Sequence, residues 1–287
     1  MIAAVAFAMA GCATDSACEK APRKNIAVQM YSMRDDIKKD YDGSIKKLGE
    51  MGFTAVEAAG YGNGKFYGKT PEDFKAGIEA AGMKVLSSHT AKQLSKKELE
   101  TGDFSESMKW WDECIAAHKA AGMKYIVAPW MSVPKTLKDL KTYCDYYNEI
   151  GKRCKAAGIS FGYHNHAHEF QKVEDKVMYD YMLENTDPNL VFFEMDVYWT
   201  VRGQKAPVDY FKKYPKRFKL LHIKDEKELG ESGMVGFDAI FKPAGEAGME
   251  YPVVEVERYS FTPAESIKKS LDYLRKAPFV LANYFGE

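Results

Sequence analysis

From residue 26 to residue 257 the chain repeats one alternation: a short β-rich run, then a longer stretch whose apolar positions recur at helical spacing. The β-rich runs fall at roughly 26–31, 53–58, 84–88, 124–129, 159–164, 190–196, 218–223 and 252–257, and the helical patterns are clearest over 104–121 and 135–157. The helix-to-strand junctions share a grammar, seen in Met51-Gly52-Phe53, Ala81-Gly82-Met83, Ala121-Gly122-Met123, Ala157-Gly158-Ile159 and Ala247-Gly248-Met249. A helix ends, glycine takes the left-handed position beyond it, and an apolar residue opens the next strand. Asp187-Pro188-Asn189 and Tyr214-Pro215-Lys216-Arg217 supply two further breaks through proline. Eight β–α units in succession predict a single closed (β/α)8 TIM barrel over 25–287. The full length of 287 residues suits one such barrel, and no linker or shift in composition marks a second folded domain.

A parallel barrel gathers its chemistry at the C-terminal ends of the strands. Those ends read Gln29 to Ser32, Glu57, Ser87 to His89, Pro129-Trp130, His164 to Glu169, Asp196 to Trp199, His222 to Asp225 and Glu255 to Arg258. Nearly all are polar, ionisable or aromatic, whereas the opposite ends (Ile26, Phe53, Lys84, Lys124, Ile159, Leu190) are duller. His164, Asp196, His222 and Glu255 close four successive runs at intervals of 32, 26 and 33 residues. One ligand-type residue per unit, at the same place in each, predicts one site for a single divalent metal of the Mn, Zn, Co or Fe kind. His166 is the substitute for His164. Glu194 shares the face of Asp196 two residues deeper, Lys224 shares that of His222, and only one of Glu255 and Glu257 is expected to be a ligand. A carboxylate ending a buried run, as Asp196 does, needs a cation or donors, and capping the next helix is the alternative.

Gln29-Met30-Tyr31-Ser32-Met33-Arg34, the segment from Tyr163 to Phe170, Asp196-x-x-Trp199, Leu221-His222-Ile223-Lys224-Asp225 and Val254-Glu255 resemble the xylose isomerase-like barrel family over about residues 25–285. That family includes sugar phosphate isomerases/epimerases, ketose 3-epimerases, inosose dehydratases and endonuclease-IV-type proteins. The resemblance implies one metal ion, manganese foremost, held by strands five to eight. The Glu, Asp, His and Glu ligands of ketose 3-epimerases fall on His164, Asp196, His222 and Glu255. The strand-five Glu, which also moves protons in those enzymes, is His here. Glu169, five residues on, is therefore the expected general base, or alternatively a residue orienting His164 or His166. Glu255 and Lys224 complete the expected catalytic set, and Tyr31, Glu57, His89, Trp130, His166, Trp199 and Glu257 are the expected substrate contacts. The Tyr-His-Asn-His-x-x-Glu-Phe run is similar to that of proteins acting on oxidised sugars, including 3-keto-glycosides.

A metal ion chelating a carbonyl and its neighbouring hydroxyl favours removal of the proton between them. The expected activity is isomerisation or epimerisation of a keto-sugar, with β-elimination from a 3-keto-glycoside as the alternative and a non-catalytic sugar-binding protein as a third reading. Formal net charge is zero, so the basic surplus of a nucleic-acid binder is missing, which argues against a repair nuclease. Met1 to Ala10 is apolar and leads into Met9-Ala10-Gly11-Cys12, which looks like the end of a lipoprotein signal. Residues 1–24 are then a signal remnant and tether, with membrane contact only through a lipid on Cys12 and a place in the cell envelope. An envelope protein favours a free sugar or glycoside over a sugar phosphate. Of the five cysteines, Cys114, Cys144 and Cys154 sit in helical patterns without C-x-x-C spacing and are expected as free thiols. Self-association is left open.

Overall fold

The computed structural model describes residues 23–284. Among them, eight parallel strands form one sheet: β1 (Ala27–Gln29), β2 (Ala55–Ala58), β3 (Lys84–Ser88), β4 (Tyr125–Ala128), β5 (Ser160–His164), β6 (Val191–Asp196), β7 (Phe218–Ile223) and β8 (Tyr251–Val254). Neighbours follow chain order, and β8 pairs with β1 through Ala27↔Val253 and Val28↔Val254. The remaining seam, between β3 and β4, closes through the single bridge His89↔Val127, with main-chain bonds from Thr90 to Val127 (2.8 Å) and from Lys124 to Leu86 (3.0 Å). The expected barrel is therefore present, with each strand inside or close to its predicted run. β8 stops at Val254, so Glu255 stands just past the strand.

The five glycines of the predicted junctions, Gly52, Gly82, Gly122, Gly158 and Gly248, all have φ between 75° and 97°. Side chains with a Cβ adopt that region only under strain, which is why glycine punctuates the repeat. The two clearest helical patterns are the helices Ser105–Ala120 and Leu137–Ala156. Between sheet and helices lies the main core, rich in aromatic residues such as Trp111, Tyr147, Phe161, Tyr163, Tyr179 and Phe193. A second cluster, including Tyr125, Phe192, Leu220 and Tyr251, fills the barrel itself. Gly162 makes room for it: a Cβ there would lie 2.6 Å from the Phe192 ring.

At the N-terminal end of the barrel, Glu250 accepts from Lys124 Nζ (2.5 Å) and from the Tyr125 hydroxyl, with Lys219 3.6 Å away. Arg23 and Lys24, the expected end of the tether, are already docked. Arg23 donates to the carbonyls of Gly52 and Phe53, and Lys24 to those of Leu274 and Ala277. Residues 1–22, with Cys12 and Cys18, lie outside the described residues. Cys114, Cys144 and Cys154 are free and buried, as expected. No described helix is long and apolar enough to cross a membrane.

Candidate functional site

The ends of β5, β6 and β7 and the residue after β8 bring His164, Asp196, His222 and Glu255 together, with one ligand atom of each within 4.8 Å of all the others. All four side chains are buried. Their outer atoms are tied to the fold. His164 Nδ1 donates to the Pro129 carbonyl (3.3 Å), leaving Nε2 to face Asp196 Oδ2 at 3.6 Å. His222 Nε2 donates to Glu57 Oε1 (2.8 Å), leaving Nδ1 to face Glu255 Oε2 at 3.4 Å. Asp196 Oδ1 accepts from the Trp199 amide (2.8 Å) and so caps the helix Val197–Arg202, while Oδ2 turns to the histidines. Helix cap and candidate ligand, posed as alternatives by the sequence, are two oxygens of one carboxylate.

His164 Nε2, His222 Nδ1 and Asp196 Oδ2 are buried and carry no hydrogen bond among the described residues. Buried polar atoms are nearly always paired, so three unpaired atoms turned toward one point, beside a second carboxylate, are unusual. Two imidazole nitrogens with their outer N–H groups anchored, and two carboxylate oxygens, match the donor set of a divalent cation. The residues present therefore fit the metal that the sequence implied.

Beneath this quartet is a layer that the sequence did not resolve. Glu57 is fully buried, and its Oε1 accepts from Gln29 (2.8 Å) and His222 (2.8 Å) and lies 3.0 Å from His89 Nε2. His89 Nε2 also meets Glu194 Oε2 at 2.8 Å. Burial would raise the Glu57 carboxyl, but His89 and His222 outweigh it and hold Glu57 well below the usual range. Burial would likewise lower His89, but Glu57 and Glu194 raise it to about 9. Glu57, expected to touch substrate, instead orients His222, because its partner comes from across the barrel. Asn165, part of the Tyr-His-Asn-His run but given no role by the sequence, has one here. Its amide accepts from the Asp196 N–H (3.2 Å) and donates toward the Asp196 carbonyl (3.4 Å), extending the β5–β6 pairing beyond the end of β5. An Asn directly after a strand-end ligand is the signal that was available.

Above the quartet is a chamber of about 350 Å³ lined by Tyr31, Ala59, His89, Pro129, Trp130, His164, His166, Glu255 and Glu257. Five of the seven expected substrate contacts, Tyr31, His89, Trp130, His166 and Glu257, thus face one space. Tyr31 and Trp130 are 44% and 46% exposed, large apolar surfaces at its rim. Burial and the nearby His164 push His166 down to about 2, so its imidazole is neutral. Lys224 stands behind the two carboxylates, donating to Glu255 Oε2 (3.0 Å) and to Glu257, with its ammonium 5.4 Å from the Trp199 ring centre. Burial would lower Lys224, but Glu255 first, then Asp196 and Glu257, raise it, so it is a fixed cation.

Glu169, the expected base, does not reach the chamber. It is fully buried: Oε1 accepts from the Tyr163 hydroxyl (2.7 Å) and Oε2 from the His166 N–H (2.8 Å). Tyr163 belongs to the layer between barrel and helices, and the short turn His168–Phe170 carries Glu169 to that side. Glu169 therefore braces the loop that carries His166. Trp199 likewise lines a neighbouring cavity and not the chamber.

The model of the xylose isomerase-like TIM barrel family matches residues 45–277. The chain belongs to that family. A crystal structure of a sugar phosphate isomerase/epimerase from Parabacteroides distasonis is 38% identical, with a TM-score of 0.83 over 90% of this chain and 100% of that one. Among curated relatives, an inosose dehydratase of Clostridium perfringens is 25% identical over 276 residues, 83% of this chain and 87% of the relative. An inosose dehydratase of Geobacillus kaustophilus is 22% identical over 200 residues, and the match spans 64% of this chain but only 61% of that enzyme's length.

Proposed function

We propose that the protein is a divalent-metal-dependent enzyme that removes a proton beside the carbonyl of a keto-sugar and expels a β-substituent, a lyase rather than the isomerase first expected. The convergence of unpaired donor atoms from His164, Asp196 and His222 beside Glu255 supports the metal. When bound, the ion supplies an electrophile for the substrate's carbonyl oxygen. Manganese, zinc, cobalt and iron all suit this donor set.

The choice of lyase is carried by where the carboxylates stand. Those lining the chamber, Glu255 and Glu257, both follow β8, and the wall across from them offers His89, His164 and His166. Epimerisation exchanges protons most simply between two bases on opposite faces, and the second base expected at Glu169 is turned away. Elimination needs one base and one donor. Glu257 takes the proton, with Lys224 bonded to it and to Glu255 to hold both in place. The C–H electrons form the new double bond as the C–O bond breaks, and His89, the wall imidazole that Glu57 and Glu194 keep protonated, donates to the departing oxygen. Tyr31 and Trp130 are apolar faces for a sugar ring. The inosose dehydratase relatives favour this reading, and the isomerase/epimerase name of the Parabacteroides structure favours the alternative.

Incubating the metal-loaded protein in deuterium oxide with keto-sugars and 3-keto-glycosides separates the two: elimination gives an unsaturated product, epimerisation a deuterated sugar. Glu257→Gln should lower turnover about 10²–10⁴-fold with metal content unchanged. No product and no exchange in any member of the panel would sink the reading. Envelope placement through Cys12 belongs to the same proposal. Cys12→Ser should abolish lipid labelling and membrane association, and unchanged association would refute it.

A further inference from the structure

A second cavity, of about 620 Å³, adjoins the chamber and shares His166 with it. It lies between the loop after β5 and the end of the helix Val197–Arg202, where Gln171 faces Trp199, Arg202 and Gln204. The two walls pack closely at their base, since a Cβ on Gly203 would lie 2.3 Å from the Phe170 ring. Both spaces fall near the range of small-molecule sites, about 300–1,000 Å³. The partition between them is thin: the rings of His166 and Trp199, 5.7 Å apart between centres. His166 Nδ1 and Trp199 Nε1 are both buried and lack a hydrogen-bond partner among the described residues.

The lining is chemically specific. Among the described residues no carboxylate borders the cavity. Two planar amides, a guanidinium and two imidazoles present donors and acceptors in flat arrays, beside the indole of Trp199. Such groups pair with neighbouring hydroxyls on a neutral ring and stack against its C–H face. A cation would find no anionic ligand here, and an apolar group would strand the amides.

We propose that this cavity is a subsite for a second sugar ring, glycosidically joined to the ring held in the chamber. The preferred substrate is then a keto-disaccharide or larger glycoside, not a free monosaccharide. The inference rests on the reading of the chamber as a keto-sugar site. The bond between the rings crosses the partition, where His166 Nδ1 and Trp199 Nε1 stand unpaired.

Calorimetric dissociation constants for matched probes test it: fructose against lactulose, and 3-keto-glucose against 3-keto-disaccharides. At least one disaccharide should bind the wild-type protein about tenfold or more tightly than its monosaccharide. Gln171→Ala combined with Arg202→Ala should remove that difference and leave monosaccharide binding unchanged. Ala167→Phe, which fills the cavity, should do the same, so the outcome does not hang on one variant folding well. If no disaccharide binds more tightly than its own monosaccharide, or if the variants weaken both alike, the subsite is overturned. The deuterium experiment reads the chamber separately, so a tight disaccharide without exchange would sink the lyase reading and keep the subsite.

Discussion

The two ends of this barrel both gather charge, and they handle it in opposite ways. At the N-terminal end Glu250 is enclosed by Lys124, Tyr125 and Lys219, and no atom of that group is a buried unpaired one. At the C-terminal end, Glu57, His164, Glu194, Asp196 and His222 each keep one buried atom without a hydrogen bond. Carboxylates stand at both ends, but the N-terminal charges are partly exposed and the C-terminal ones are buried. The further difference is completion. A closed network stabilises the fold, whereas one whose unpaired atoms share a focus is organised around something the chain itself does not contain.

Substitutions at the two ends should separate accordingly. The largest effect is expected from His222→Ala, which removes one of the two imidazoles of the quartet. Metal measured after dialysis should fall from one ion per chain to well below one, and turnover should vanish with it. Retention of a full ion would dissolve the contrast between the ends. Glu57→Gln comes next. It keeps the shape but weakens the acceptor that fixes His222, and should lower metal affinity about 10–100-fold, with activity recovered at high metal concentration. Failure to recover would mean that Glu57 takes part in the chemistry directly. The smallest effect belongs to the other end. Lys124 is 47% exposed and Glu250 21%, so Glu250→Gln should cost less than about 1 kcal/mol in denaturant unfolding. Metal affinity should stay at the wild-type value, and a change there would show the two ends to be coupled.

The eight strands were legible because each helix-to-strand junction repeats, and the repeat has a backbone cause in the left-handed glycines. The convergence of the candidate quartet was legible for a related reason: the barrel converts equal positions in successive units into nearness in space. His164 rather than His166 joins the quartet because His164 still belongs to β5, while His166 follows its end. Glu57 and Glu169 show where that reasoning stops. Glu57 ends its strand as a ligand would, but its partner His222 lies 165 residues away, across the barrel. Glu169 is near His164 in sequence, yet one short turn sends its side chain to the outer layer. Strand ends can be counted along a chain, but the direction of a side chain after the strand has ended cannot. Asn165 had no role of its own in the sequence reading, because its partners, the Asp196 main chain and the Thr200 hydroxyl, belong to the next unit of the barrel.

The sheet is not equally strong around its circumference. β5 and β6 pair through four residues each, and β7 and β8 do the same, whereas β3 and β4 meet at one bridge. If the cylinder is cut open in thought at its weakest line, the candidate quartet stays whole, because its residues all come from the arc from β5 to β8. Local opening favours regions with few pairings, so of the amide protons bonded between barrel strands those of Thr90 and Lys124 are expected to exchange first. The same line is where a circular permutant could begin and end. New termini between β3 and β4 would leave the quartet's strands in their native order and sever only the thinnest join in the wall.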